Sequence, residues 1–432
     1  MPVHSFGFFG SRRFFPLFVT QFCGALNDNL LKTSFMVLVS FAGLSFAGLP
    51  PEQIVNLAAG VFILPFFLFS ATAGRVAEKY DKARVAQIVK WAEIVIMLLA
   101  AWGFYTHHVG ALIAALFLMG THSTFFGPIK YAVLPQYLNE RELVGGNGLI
   151  EMGTFLSILI GQIGGSLLVQ TGSHATVGWL IAVAVVGLIA SHCLPAAPAK
   201  CPDLPIHWNL IRENRALLKA AKAIPDVRAA IMGISWFWLL GAVYLTQLPT
   251  FTRLHLGGDA NVYTLILGLF SVGIALGSVL CARLSAGQLR LGLVLVGGAG
   301  MTIFGVDTYL SAPDLHHGPL LSLSDFLQSP QHWRAMVDLA GLGLAGGFFT
   351  VPLYTWLQVS SPEAFRSQAI AANNIVNGWY MVLAAAASAL ILAWTGSIAV
   401  LLLLTAVANV IAMWRLVRLA PQIWTHRWGD AS

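Results

Sequence analysis

Gly74-Arg75-Val76-Ala77-Glu78-Lys79-Tyr80-Asp81-Lys82-Ala83-Arg84 is the stretch on which the class of this chain turns. Six of its residues are charged, and four of those (Arg75, Lys79, Lys82, Arg84) are basic. On either side, residues 53–73 and 85–105 are mostly apolar. Runs of about 20 such residues carry a helix across the roughly 30 Å hydrocarbon core of a bilayer. A short connection dense in Lys and Arg between two such runs is the mark of a cytoplasmic loop.

Composition extends this reading to the whole chain. Of 432 residues, 57% are hydrophobic and 10% charged, and the mean hydropathy is +0.76. Soluble domains carry about 25% charged residues, so a soluble globular fold and a disordered chain are both excluded. The net charge of +6 is spread between apolar runs instead of gathered on one face, so no nucleic-acid partner is expected. A barrel would show alternating segments of about ten residues; these runs are longer and read as helices. Cys23, Cys193, Cys201 and Cys281 form no Cys-x-x-Cys pair, so no disulfide framework and no metal site is expected.

Twelve spans are expected, at 14–43, 53–73, 85–105, 109–134, 143–169 and 176–194, then 229–250, 262–282, 289–310, 337–359, 367–394 and 397–415. The first is too long and too polar, with Asn27, Asp28 and Lys32, for a cleaved leader. An even number of spans puts both termini on one side. Arg253 and Arg334 fall on the other side, Lys32, Lys90 and Lys130 lie in spans, and the remaining 19 of the 24 bases, from Arg12 to Arg427, share the side of the termini. That bias makes both termini cytoplasmic.

Residues 195–228 form the longest stretch on that side. They open with Pro195, Pro198, Pro202 and Pro205 and end in a basic, helix-favouring run. The simplest reading is a linker lying on anionic headgroups, where each base contributes about 1 kcal/mol. It separates an N-terminal six-helix bundle, 1–194, from a C-terminal one, 229–432. Weak internal similarity supports a duplication. Asn147-Gly-Leu-Ile-Glu151 matches Asn373-Asn-Ile-Val-Asn377, and Pro128 with Tyr131 matches Pro352 with Tyr354. Parallel six-helix repeats are the architecture of major facilitator transporters, and the opening stretch resembles their signature after span two. Gly74 lets helices approach, Glu78 takes the acidic position to cap a helix end or pair with a base, and Lys79, Lys82 and Arg84 follow. Glu stands for the usual Asp, and Asp81 for the usual Gly. The resemblance implies gating roles for Gly74, Glu78 and Arg84.

Ionisable side chains inside a membrane are costly and mark function by default. Asp28 and Lys32 lie one turn apart beside Asn27 and Asn29; they pair with each other or face a ligand. Lys90 and Glu93 read as structural, with Lys90 reaching to the interface. Lys130, after Pro128, either reaches the interface or faces the interior. Glu151, one turn after Asn147, has no base on its own helix, so Lys130 or Lys32 is its expected partner. His122 lies in the same region. The second half has little interior charge: Asp307, Arg334 and Asp338 sit toward outer ends, with Arg334–Asp338 as a rim pair. Span seven contributes Trp236, Phe237, Trp238 and Tyr244. One cavity wall is therefore expected to be polar and zwitterionic and the other apolar and aromatic, which suits an amphipathic substrate.

Gly341-Leu-Gly343-Leu-Ala-Gly346 fits a dinucleotide fingerprint, but no strand precedes it, so close helix packing is the better account. The sequence has no Walker A, no Gly-x-Ser-x-Gly and no His-x4-Asp. No catalytic residues, no enzyme activity and no cofactor are expected.

Gln21-Phe-Cys-Gly-Ala-Leu-Asn27-Asp28-Asn29-Leu-Leu-Lys32 resembles the first span of the lysophospholipid transporter family within the major facilitator superfamily. So do Gly127-Pro128-Ile-Lys130-Tyr131-Ala-Val-Leu-Pro135, Asn147-Gly-Leu-Ile-Glu151 and the seventh span from Ile234 to Pro249. The resemblance implies a monomeric flippase of the bacterial inner membrane. It would move lysophospholipids such as lysophosphatidylethanolamine from the outer to the inner leaflet for reacylation by a separate acyltransferase and acyl-carrier-protein synthetase. It implies a substrate site of Asp28, Lys130 and Glu151, joined in our reading by Asn27, Lys32, Asn147, Trp236 and Tyr244. The alternatives are a proton-coupled exporter of amphipathic drugs and a membrane scaffold without transport.

Overall fold

The computed structural model describes residues 6–207, 209–312, 315 and 318–425; Arg427 of the sequence reading lies outside them. The helices are α1 Phe15–Ala42, α2 Pro51–Lys79, α3 Lys82–Thr106, α4 Val109–Ala132, the short α5 Leu134–Tyr137, α6 Glu140–Thr171, α7 Ser173–His192 and α8 Leu210–Ala223. They continue as α9 Pro225–Leu254, α10 Ala260–Ser285, α11 Gly292–Leu310, the short α12 Leu323–Gln328, α13 Trp333–Ser360, α14 Arg366–Thr395, α15 Ile398–Leu419 and the short α16 Gln422–Thr425. The expected spans fall within these long helices to a few residues. Among the described residues, eleven helices are long and apolar enough to cross a membrane. Of the twelve expected spans, the one outside that set is α1. It has the length, 28 residues, but Gln21, Asn27, Asp28, Asn29 and Lys32 make it the polar one.

Local chemistry sets the ends. Pro16 opens α1, and Gly43 at φ +60° closes it in the left-handed conformation glycine tolerates. Asn139 and Glu142 form a reciprocal capping box on α6. Asp81 caps α3, accepting from the Ala83 and Arg84 amides at 2.9 and 3.1 Å; such a cap stabilises by about 1 kcal/mol. This accounts for Asp81 where the signature has Gly. It also corrects the opening stretch, because α2 runs to Lys79 and Gly74 and Glu78 are helical, not in a loop.

The surface is that of a protein in lipid. On α3 the exposed large apolar side chains include Ile88, Trp91, Val95, Leu98 and Trp102, a stripe at helical spacing. The opposite face buries Lys90, Glu93, Met97 and Ala100. A water-soluble helix would reverse this. Close packing between helices uses small residues, as membranes favour. A Cβ on Gly277 would stand 2.1 Å from the Leu344 carbonyl oxygen, and one on Gly343 2.2 Å from that of Phe270. Of the 341–346 glycines, Gly343 thus serves the contact of α13 with α10, while Gly341 faces Phe304 of α11 and Gly346 faces Phe237 of α9.

One end of the bundle collects the start of α1, the α2–α3 turn, the starts of α6 and α14, the end of α10 and the linker; we term it the linker face. The linker does not simply lie on headgroups as expected. Its backbone is hydrogen-bonded to the α2–α3 turn at Glu78, Asp81 and Lys82, and the Tyr137 hydroxyl donates to the Pro195 carbonyl. Its helix α8 docks on α2, where Glu213 pairs with Arg75 at 2.6 Å. The Asn214 amide donates to the Phe67 carbonyl, and its oxygen accepts from the Ala71 amide. Phe67 and Ala71 are an i, i+4 pair, so Asn214 sits in the hydrogen-bond ladder of α2.

Candidate functional site

Between the halves lies a cavity of about 330 Å³. α1, α2, α4 and α6 form one wall, including Asp28, Asn29, Lys32, Phe62, Phe66, Ser123, Lys130, Tyr131 and Thr154. α9, α13 and α14 form the other, with Trp238, Tyr354, Asn374, Asn377 and Met381. All the charge is on the first wall. The second is aromatic as expected, but it adds two asparagines and so is polar without charge.

Asp28 and Lys32 do not form an ion pair within 4 Å in the structure. Asp28 accepts from the Ser123 hydroxyl at 2.6 Å, and its other oxygen has no hydrogen-bond partner among the described residues. Lys32 lies over the Phe62 ring at 5.5 Å, and Lys130 over Tyr131 at 4.8 Å. Lys130 faces the cavity instead of reaching the interface. Tyr131 and Tyr354, the tyrosines matched by the internal repeat, stack across the two halves with centroids 4.3 Å apart and planes 6° apart. The Trp238 indole donates to the Tyr354 hydroxyl at 3.1 Å.

Other expected site residues lie elsewhere. Glu151 is fully buried behind the cavity; its partner comes from another helix, but it is the Tyr131 hydroxyl and not a lysine. Lys130 acts on it only through space. Asn147 is at the junction of the halves. It exchanges hydrogen bonds with Gln358 at 2.7 and 3.0 Å and donates to Thr355 at 3.1 Å. Trp236 donates to Asn409 in a separate groove, and Tyr244 is buried beside Phe270. Asn27 turns away from the cavity and donates to Glu93 at 2.8 Å and to the Leu180 carbonyl at 3.2 Å.

Glu93 is the centre of a second, enclosed constellation. Lys90 Nζ is 2.6 Å from it and His122 Nε2 3.1 Å, and all three side chains are buried. Lys90 therefore does not reach the interface; it is neutralised inside the bundle. The expected Arg334–Asp338 pair is also replaced: Arg334 pairs with Asp307, and Asp338 accepts from Ser311 at 2.9 Å.

The linker face is closed by contacts between halves. Glu78 accepts from the Ser367 amide in the first turn of α14, where the helix dipole favours an acid, and Lys82 lies 3.7 Å from its other oxygen. A Cβ on Gly74 would be 2.8 Å from that of Ala371, and one on Gly148 2.8 Å from the Ser278 carbonyl oxygen. Arg84 is exposed, and only its backbone bonds to Asp81. Sequence reasoning missed Ser123, Asn374 and Asn377 as cavity residues. The repeat held the signal for Asn377, which is the counterpart of Glu151.

A pocket between two helical halves, closed at one face by a helix-capping acid in the last turn of the second long helix, is an arrangement shared by many chains. The sequence model described as Major Facilitator Superfamily matches residues 17–322. The chain belongs to the major facilitator superfamily. Within curated proteins it is 25% identical to "Lysophospholipid transporter LplT" of Serratia proteamaculans (strain 568), over 86% of this chain and 87% of the relative. It is 26% identical to the protein of the same name from Escherichia coli O157:H7 (strain EC4115 / EHEC), over 84% and 85%. Among solved major facilitator structures, the transporter FucP in the outward conformation superposes with a TM-score of 0.71 at 11% identity, over 93% of this chain and 97% of that one. The human organic anion transporter MFSD10 gives 0.69 at 12% identity, over 93% and 99%. These two share the fold.

Proposed function

We propose that the chain carries lysophospholipids across the bacterial inner membrane from outer to inner leaflet, by alternating access. The observation that carries this reading is the two-sided cavity. A carboxylate with a vacant oxygen and two ammonium groups stand on one wall, and rings, amides and Met381 on the other. A zwitterionic headgroup with one acyl chain fits that division. Asp28 takes the amine and Lys130 the phosphate, both charge-assisted contacts. Lys32 adds positive potential, and Glu151 holds Tyr131 and, through space, Lys130. The names of the relatives support the substrate class.

In this reading α1 is the twelfth span, and 1–194 and 229–432 are two bundles that rock about the cavity, with 195–228 between them. The excess of Lys and Arg makes the linker face cytoplasmic, so the contacts of Glu78, Gly74 and Asn147 form the inner gate and the cavity is reached from outside. The monomer acts without cofactor or chemistry of its own and hands the lipid to a separate acylating enzyme.

The test is flipping of fluorescent lysophosphatidylethanolamine in proteoliposomes made from the purified full chain. Protein-dependent flux without an imposed gradient is expected. Flux that requires a proton gradient and extends to cationic drugs would favour the exporter, and no flux would leave a scaffold.

A further inference from the structure

A second apolar space lies away from the cavity, on the outer side of the second half. α14 and α15 barely touch, and the gap between them, floored by α9, is a groove of about 330 Å³. Met232, Leu383, Ile411 and Leu416 line it, with Arg415 among them. Along α15 it runs from Ala408 to Leu419, about 17 Å at 1.5 Å per residue. That is close to the depth of one leaflet, half of a roughly 30 Å core. A second groove of about 270 Å³ adjoins it at Met232, between α8, α9 and α14. Lys222 and Arg228 line this one, and Arg228 is one turn from Met232 on the linker-face side.

The charges around this pair of grooves are one-sided. No Asp or Glu lines either groove. Arg415, Arg228 and Lys222 form no salt bridge among the described residues, and the buried Arg228 Nε has no hydrogen-bond partner there. The nearby Asp226 is engaged by the Gln422 amide at 2.7 Å. Three cations beside two joined apolar grooves, the first about as deep as one leaflet, call for an anion that carries two hydrocarbon chains.

We propose that this double groove binds a diacyl phospholipid of net negative headgroup charge in the leaflet at the linker face. Arg415, Arg228 and Lys222 hold its phosphate, and one chain lies in each groove. A zwitterionic phospholipid is disfavoured because no carboxylate lines either groove to receive its amine. The site shares no lining residue with the central cavity, and it does not depend on what that cavity carries.

The experiment is native mass spectrometry of the full chain in detergent, titrated with phosphatidylglycerol or phosphatidylethanolamine of identical chains. Wild type retains one phosphatidylglycerol and binds it more tightly than phosphatidylethanolamine. Each lost base weakens it about fivefold, the factor that corresponds to about 1 kcal/mol per basic residue near an anionic headgroup. Arg228→Gln with Arg415→Gln brings the two lipids to within a fewfold of each other. Ala412→Trp, which fills the first groove and keeps the charges, loses both. Lys222→Gln alters an exposed side chain that the fold does not need, and it alone weakens phosphatidylglycerol about fivefold. Equal affinity of wild type for the two lipids, or unchanged phosphatidylglycerol binding by Lys222→Gln and by the double variant, overturns the proposal.

Discussion

Asn27 and Asp28 are neighbours on α1, as His122 and Ser123 are on α4, and each pair divides between two surroundings. Asn27 and His122 point into the enclosed constellation, where Glu93 receives Lys90 at 2.6 Å and Asn27 at 2.8 Å and has His122 Nε2 3.1 Å away. Asp28 and Ser123 point into the cavity, where the carboxylate receives one hydroxyl and keeps an oxygen vacant. A buried charge held by its own protein locks helices together; one left partly unheld has capacity for something that arrives. The costliness of charge in a membrane explains why both exist, but only the count of partners tells the brace from the site.

The largest effect that breaks this comparison is expected from Glu93→Ala. It strands Lys90 without its counter-charge, and removal of one partner of a buried pair typically costs about 3–5 kcal/mol. Thermal unfolding of the purified variant should show a marked drop, and Lys90→Met with Glu93→Leu should recover much of it. Wild-type stability in Glu93→Ala would mean that the constellation braces nothing.

Asp28→Asn should do the opposite. The fold keeps its unfolding midpoint, while flipping of lysophosphatidylethanolamine falls roughly tenfold to a hundredfold, the weight of one hydrogen bond to a charged group at about 1.5–3 kcal/mol. Lysophosphatidylglycerol, which has no amine, should be affected less. Equal losses for the two lipids would remove Asp28 from amine recognition.

A smaller change is expected at the junction of the halves. Asn147→Ala leaves Gln358 short of a buried partner, a penalty of about 1–3 kcal/mol that falls on the closed state. Cys281, buried at the linker-face end of α10, should then react faster with a thiol reagent, read by peptide mass mapping. An unchanged rate would show that the amide pair does not bias the gate. Smallest of all is Arg84→Ala. Its side chain is exposed, so stability should stay within about 0.5 kcal/mol and flipping should be unaltered; a loss of flux would restore the gating role the signature implies.

The elements were legible in the sequence because runs of about 20 apolar residues broken by bases have few alternative readings. Asp28, Lys32 and Lys130 were legible as cavity residues because charge is so scarce. What failed was rotation. Trp236 and Trp238 are two residues apart on α9, about 200° around the helix at 3.6 residues per turn, and only Trp238 faces the cavity. A helix apolar on every side gives no moment to choose between them. Depth failed as well: Glu151 and Asn147 sit one layer behind the cavity or at the junction, where neighbours from other helices decide their partners.

The seat of Asn214 in α2 has a mechanical consequence. Pulling it out would leave the Phe67 carbonyl and the Ala71 amide to re-form a ladder bond that the side chain now occupies, so α8 is a passenger of α2 and travels with it. Between α8 and α9 stands Ile224 alone, extended at φ −98° and ψ 109°. In the proposed rocking of the halves, Ile224 before Pro225 is the joint between α8 and α9, and the linker behaves less as a slack tether than as an arm with an elbow.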